Sequence, residues 1–249
     1  KNLGFEVEAY TSYFLPEDKF TKFNVDYKYA DILSKKFNFK LNKVGIDEKN
    51  FNQKDQIINV YKKLDEPITN FNFFNSFFQS KMAKENNCKV ILTGDGADEI
   101  FGGYERYKKC YIARKLRYLS FLSKKISRIN STKSEDLPSY FYNFLKIDNN
   151  RNVFNPDFFK NLKESNSFTF LLPNSEKKEE VINYFDLKYW IQSESNFKLD
   201  RASMLNSIEA RVPFQDIHFL KNIFPINMEE KLNFFNEKII LKNLNLVPN

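Results

Sequence analysis

The sequence predicts an α/β fold: a parallel sheet interleaved with helices over residues 1–104, then an all-helical part over residues 105–249. Three observations predict it. Apolar or alternating runs at Phe5–Phe14, Phe39–Ile46 and Val90–Leu92 read as strands. Stretches with helical spacing separate these runs, and strands alternating with helices argue for a parallel sheet. After Tyr104 the strand signals stop.

In chain order, Phe5–Phe14 (FEVEAYTSYF) is β-rich, and Leu15–Thr21 is a loop around Pro16. Val25–Phe37 spaces Val25, Tyr29, Ile32, Leu33 and Phe37 as one helical face. Phe39–Ile46 alternates imperfectly and reads as a strand. Gln56–Leu64 reads as a helix stopped by Asp65-Glu66-Pro67, because proline disfavours helix in the residue before it. Phe73–Asn86 is an aromatic-rich helix leading into Val90–Leu92, which reads as a buried strand. Glu105–Ile129 reads as one basic helix and Pro138–Ile147 as another. Asn149–Pro156 and Ser165–Ser175 are polar loops. Glu176–Ile191, Arg201–Ile208, Asp216–Ile223 and Asn236–Leu244 complete the helices.

Composition narrows the function. The chain has 249 residues with 28 Phe and 13 Tyr, enough for a sizeable core in one large or two small domains. The net charge of +7 comes from scattered lysines, with no basic helix carrying interleaved aromatics. That favours a polyanionic small molecule or plain solvation over nucleic acid. One histidine and two cysteines without metal spacing argue against a zinc site and a histidine-based triad. Two unpaired thiols fit a reducing, cytoplasmic setting. No run approaches the roughly 20 apolar residues that span a membrane. Lys1 in place of an initiator methionine suggests a piece of a longer protein.

The stretch Lys89–Tyr107 (KVILTGDGADEIFGGYERY) carries the chemistry. A strand that runs into a glycine-rich loop puts that loop at its carboxyl end, where ligands bind in open α/β sheets. Glycines allow close backbone approach to a phosphate, and free N–H groups cradle it. Asp95, Asp98 and Glu99 crowd three carboxylates together, which is costly unless a cation or a bound proton offsets them. Oxygen ligands beside a phosphate cradle suggest Mg²⁺. The plain alternative is an acidic strand-to-helix turn. A second stretch, Phe197–Asp216 (FKLDRASMLNSIEARVPFQD), reads by itself as Asp200 capping a helix, a Glu209–Arg211 ion pair and a Val212-Pro213-Phe214 stop. Glu194 and Lys198 lie four apart and share a face on a helix.

These two stretches resemble the signatures of the synthetase domain of glutamine-hydrolysing asparagine synthetases and their relatives. The first matches S-G-[DE]-G-x-D-E-x-F-G-G-Y with Thr93 for Ser; the second matches D-R-x-S-M…S-x-E-x-R-V-P-F-x-D. Leu64-Asp65-Glu66-Pro67 is a weaker match, with a capped helix end as its plain alternative. Glu237–Lys242 is another, with Lys242 where arginine is usual, Leu246-Val247-Pro248 blurring an L-P, and a solvated helix face as the alternative for Lys238.

The resemblance implies a Rossmann-like fold of the adenine nucleotide alpha hydrolase type and an ATP pyrophosphatase chemistry. A carboxylate, by default that of aspartate, attacks ATP to give an acyl-AMP and pyrophosphate, and ammonia from glutamine then forms the amide. It implies ATP contacts at Thr93, Gly94, Gly96 and Lys238, and a Mg²⁺ ligand at Asp98. It implies catalytic roles for Asp95, as the acid that handles ammonia, and for Glu194 and Lys198. It also implies a partner glutaminase domain and leaves a homodimer open. The family's S-G-G-x-D-S loop, with the first strand, is expected before Phe5, and an R-x-K-x-G-F segment after Pro248. Without them, the 249 residues are not expected to catalyse the full reaction, and an open apolar sheet edge is expected to favour aggregation. Two other functions fit the same residues: amidation of another carboxylate, such as a sugar uronate, or closure of a lactam ring; and a non-catalytic nucleotide-binding fragment.

Overall fold

The computed structural model describes residues 4, 6–47, 54–66, 68, 70, 72–142 and 170–244. Phe5, Pro67, the second half of Pro138–Ile147, Asn149–Pro156, the start of Ser165–Ser175 and Leu246–Pro248 lie outside the described residues. The chain forms two compact units. The first comprises Lys1–Thr93 and Glu194–Pro213, the second Gly94–Ser193 and Phe214–Asn249. Among the described residues no helix is long and apolar enough to cross a membrane.

In the first unit, β1 (Glu8–Phe14) pairs in parallel with β2 (Lys40–Ile46), in register from Glu8 opposite Lys40 to Phe14 opposite Ile46. A parallel pair needs a crossover, and the helix Val25–Phe37 supplies it. Asn24, buried at the end of β1, replaces ladder bonds there: its Oδ1 accepts from the Phe14 N–H at 2.8 Å and its Nδ2 donates to the Phe14 carbonyl at 2.9 Å. The helix Asn72–Glu85 packs on both strands, with Gln79 Nε2 donating to Ser12 Oγ at 2.9 Å. Its Phe73 and Phe74 are buried with Ile68 and Ala202, and Phe77 and Phe197 pack alongside.

Parallel pairing is as expected, but a single sheet of the three predicted strands is not what forms. The third strand, β3 (Val90–Leu92), pairs in parallel with β4 (Glu209–Arg211), so the described residues form two separate two-stranded ladders. A three-residue strand such as β4 leaves no periodicity to read, and the second half of the chain is therefore not all helical. Nor is β3 buried. Val90 is 37% and Leu92 71% exposed, because both point to one side of a narrow ladder that the described residues leave uncovered.

The helices also differ from expectation in four places. The stretch expected as Glu105–Ile129 is Glu105–Lys115, a 3₁₀ stretch Arg117–Leu122 and a new helix Lys124–Ser131. Ser123 restarts the helix by accepting from the Ile126 N–H, and among the described residues nothing covers Tyr118, Phe121 and Leu122, which are exposed. The stretch expected as Glu176–Ile191 is an α-helix only over Lys178–Phe185 and then widens to a π-helix over Asp186–Asn196. That π-helix runs unbroken into the helix Phe197–Met204, so Asp200 lies inside a helix and caps nothing. Asn236–Leu244 reduces to the turn Ile239–Lys242, entered through Lys238 at φ 53°. Ile217–Ile223 matches its expectation, with Asp216 as the cap that accepts from the His218 and Phe219 N–H groups.

The second unit has its own core. Tyr107, Cys110, Ile129, Leu137, Val181, Ile182, Phe185 and Leu232 are buried together. Inside it, the fully buried Asp186 takes hydrogen bonds from the hydroxyls of Tyr107 and Tyr142 and pairs with Arg106 at 2.7 Å. Glu179 is likewise buried and pairs with Arg114 at 2.6 Å. Buried charges persist only when paired in this way.

In the first unit a buried amide ties the helix Phe197–Met204 to the helix Asn72–Glu85. Asn206 Nδ2 donates to Ser80 Oγ at 2.9 Å and to the Phe77 carbonyl at 3.1 Å. Replacing it by alanine strands those acceptors, at about 1–3 kcal/mol for a buried polar group left unpaired. Asn206→Ala is expected to lower the urea unfolding midpoint accordingly; an unchanged midpoint contradicts this role.

Candidate functional site

The loop after β3 begins at Thr93, whose N–H donates to the Arg211 carbonyl at 2.9 Å, one residue beyond the ladder. Its Oγ1 is buried and, among the described residues, has no hydrogen-bond partner. A buried hydroxyl without a partner is uncommon and needs a reason. Gly94 follows, exposed, with nothing within 4 Å of the place a Cβ would occupy. Among the described residues no backbone acceptor takes the Gly94 or Gly96 N–H. An open glycine, backbone N–H groups and a hydroxyl without a partner among the described residues, consecutive along the chain, are the kinds of group a phosphate cradle uses.

The remaining glycines of the motif have other jobs. Gly96 sits at φ 94°, and a Cβ there would come within 2.8 Å of Gln215 Cγ. Gln215 Nε2 in turn reaches the Asp95 carbonyl at 3.4 Å. At Gly103 a Cβ would lie 2.0 Å from Asp98 Oδ1 and 2.3 Å from Lys238 Cε. The absent side chain is what lets Asp98 and Lys238 meet, with Nζ to Oδ1 at 2.7 Å. Thus the structure brings together two of the residues singled out from sequence, one as a metal ligand and one as a nucleotide contact.

Two of the three crowded carboxylates, Asp98 and Glu99, are answered separately. Asp98 is answered by the Lys238 cation. Glu99 is 2% exposed, and burial pushes its carboxyl above the usual carboxylate range, with Tyr104 Oη donating to it at 2.9 Å. Asn183 Nδ2 donates to the Glu99 carbonyl. The helix Ala97–Phe101 that carries them is held by Phe101 against Phe214 and Phe219, with ring centroids 5.9 and 6.0 Å apart. Phe214 and Gln215 both come from the second motif, so the two motifs share a physical contact that their sequence positions do not show.

In the first unit, Glu194 and Lys198 lie together as their spacing predicts, with Nζ and Oε2 3.9 Å apart. That is an ion pair beyond hydrogen-bond distance. Asn70, which carried no signal in the sequence, donates to Glu194 Oε1 and fixes that carboxylate. Lys198 is only 12% exposed, so its charge is partly desolvated and incompletely answered. Arg201 pairs with Asp65 at 2.7 Å, joining the D-R of the second motif to the L-D-E-P element. The Glu209–Arg211 pair is present at 2.8 Å and exposed.

Among the described residues no group of three or more His, Cys, Asp or Glu forms a metal cluster. A Mg²⁺ ion held largely by phosphate oxygens needs only one or two protein carboxylates, and Asp98, now paired with Lys238, is a carboxylate that could serve. The Gly103 contact makes a direct test. Gly103→Ala is expected to force Asp98 and Lys238 apart and destabilise the protein by about 1–3 kcal/mol, as overpacking does. Lys238→Ala relieves the crowding, so the double variant should be more stable than the sum of the two losses; strict additivity in urea unfolding rules out the contact.

A glutamine-hydrolyzing asparagine synthetase of Bacillus subtilis is 26% identical over 170 residues, covering 61% of this chain and 27% of the relative. A Mycobacterium tuberculosis protein provisionally named for the same activity is 29% identical over 175 residues, 61% of this chain and 26% of the relative. Another provisionally so named, from Methanocaldococcus jannaschii, is 36% identical over 104 residues, 38% of this chain and 17% of the relative. The chain thus spans about a quarter or less of the length of these relatives. The family profile for asparagine synthase matches residues 5–245, almost the whole chain including both motifs, and the chain belongs to that family.

Proposed function

We propose that this chain is the ATP-dependent, amide-forming part of a ligase. It activates a carboxylate, aspartate by default, as an acyl-AMP, and aminates it with ammonia drawn from glutamine by a partner glutaminase domain. Family membership supports the reaction class, and the names of the relatives support the acceptor and the ammonia source. The observation that carries the reading is the stretch Thr93 to Asp98, where a hydroxyl without a partner among the described residues, an open glycine and a carboxylate follow one another along the chain.

In the first step an oxygen of the substrate carboxylate bonds to the α-phosphorus of ATP, and the bond to pyrophosphate breaks. Thr93 donates its hydroxyl hydrogen to a phosphate oxygen, while Gly94 offers room and both Gly94 and Gly96 offer N–H groups. Asp98 would hold a Mg²⁺ ion, which when bound spreads the charge of the leaving pyrophosphate. Lys238, beside Asp98, offers a cation to the same polyphosphate. Lys198, incompletely answered by Glu194, offers one to an anionic substrate, and Asn70 and Glu194 set its position. In the second step ammonia bonds to the acyl carbon and AMP leaves. Asp95 accepts the proton the new ammonium must shed, as a positioned carboxylate can.

Two variants test these roles in the protein that carries this chain. Asp98→Asn keeps the shape and removes the charge, and is expected to lower carboxylate-dependent ATP–pyrophosphate exchange by roughly two orders of magnitude or more. Near-normal exchange refutes the role. Asp95→Asn is expected to leave exchange largely intact while amide formation collapses, because Asp95 acts only after the acyl-AMP exists. Parallel loss of both activities removes the ammonia role.

A further inference from the structure

The second unit contains a cavity of about 190 Å³ that the proposed reaction does not use. Its walls include Glu180, Asn183, Phe224, Pro225, Met228 and Lys231. Lys231 ends the short helix Met228–Lys231 and is only 2% exposed. Among the described residues no acceptor or carboxylate bonds its Nζ. Lysine is almost never buried this deeply without a partner, because desolvating an ammonium is costly. Burial pushes this ammonium down to about 8, against a weaker upward pull from Glu180 and Glu230. Neither carboxylate substitutes for a partner: Glu180 bonds Lys177 at 3.0 Å, and Glu230 is exposed.

We propose that this cavity binds a small organic carboxylate, with its carboxylate on Lys231 Nζ and its hydrocarbon body against Phe224, Pro225 and Met228. The chemistry selects that class. One cation answers one negative charge, and a dianion such as phosphate brings a second charge into a site that already faces Glu180. The apolar wall has nothing to offer a bare inorganic anion but suits a short alkyl chain. Asn183, which also lines the cavity, has its Nδ2 committed to the Glu99 carbonyl. The cavity also adjoins the glycine turn: a Cβ on Gly102 would lie 3.3 Å from Lys231 Cβ. No nucleotide enters this inference, so it stands or falls independently of the ligase reading.

The test is a fluorine NMR titration of trifluorobutyrate into the chain at neutral pH. Saturable binding is expected, displaced by butyrate and not by inorganic phosphate. Binding should weaken as pH rises past about 8, where Lys231 loses its proton. The charged groups facing it are Glu180, with its partner Lys177, and Glu230. Lys231→Met, which keeps the stem and removes the charge, is expected to weaken binding by roughly tenfold or more, the factor implied by losing a hydrogen bond to a charged group. Phe224→Ala removes part of a half-exposed wall and leaves Lys231 in place, so it decides the matter if Lys231→Met does not fold. It should weaken trifluorobutyrate and leave formate unchanged. Absence of saturable binding, equal affinity in the variants, or displacement by phosphate as effective as by butyrate overturns the proposal.

Discussion

The parallel pairing of Val90–Leu92 with Glu209–Arg211 is the constraint on which the candidate site depends. It sets the Thr93 N–H on the Arg211 carbonyl and the Glu209 N–H on the Lys89 carbonyl, and so delivers both motifs to one place in the chain's path. Two three-residue strands are marginal by themselves. Their support comes from the buried Ile208, from Ala202 against Phe73, and from the Asn206 amide that binds Ser80. Closing so long a loop costs only logarithmically more than closing a short one, so a small ladder with a good local core can hold it.

Charge management shapes the acidic loop beyond that ladder. Three free carboxylates there would repel one another and the phosphates they are proposed to meet. Instead, Asp98 is held by Lys238 across Gly103, and Glu99 is withdrawn into the core under Tyr104. The Asp98–Lys238 pair remains about a third exposed, so exchange of partners costs little compared with breaking a buried pair. The buried Asp186 is the opposite case: Arg106, Tyr107 and Tyr142 answer both of its oxygens, and it reads as a scaffold for the start of the π-helix.

The same π-helix ends at Glu194 and Asn196 and passes without interruption into the helix that carries Lys198 and Arg201. Wide π turns alter which side chains share a face and are frequent at functional positions. Here the Glu194 carboxylate is shared between Asn70 and Lys198. Arg201, on the same helix, reaches Asp65, so the weak L-D-E-P element gains a partner that its own residues did not announce.

Local chemistry was legible in the sequence. Helical spacing located Val25–Phe37, the helix expected over Asp216–Ile223 forms as Ile217–Ile223, and the order of residues in Lys89–Tyr107 marked Thr93, Gly94, Asp95, Gly96 and Asp98. The pair Glu194–Lys198 followed from a four-residue step, because side-chain direction on a helix is a local property. What the tertiary structure alone decided is non-local. The strand Glu209–Arg211 exists because β3 offers it an edge, and nothing in three residues announces that. The burial of Glu99 depends on Tyr104, and Lys238 reaches Asp98 only because Gly103 has no side chain. Gln215 and Asn70 take part through contacts with residues far away in sequence. A pattern read along one chain encodes periodicity and capping, while pairing edges, desolvation and close approach are settled only when distant segments meet.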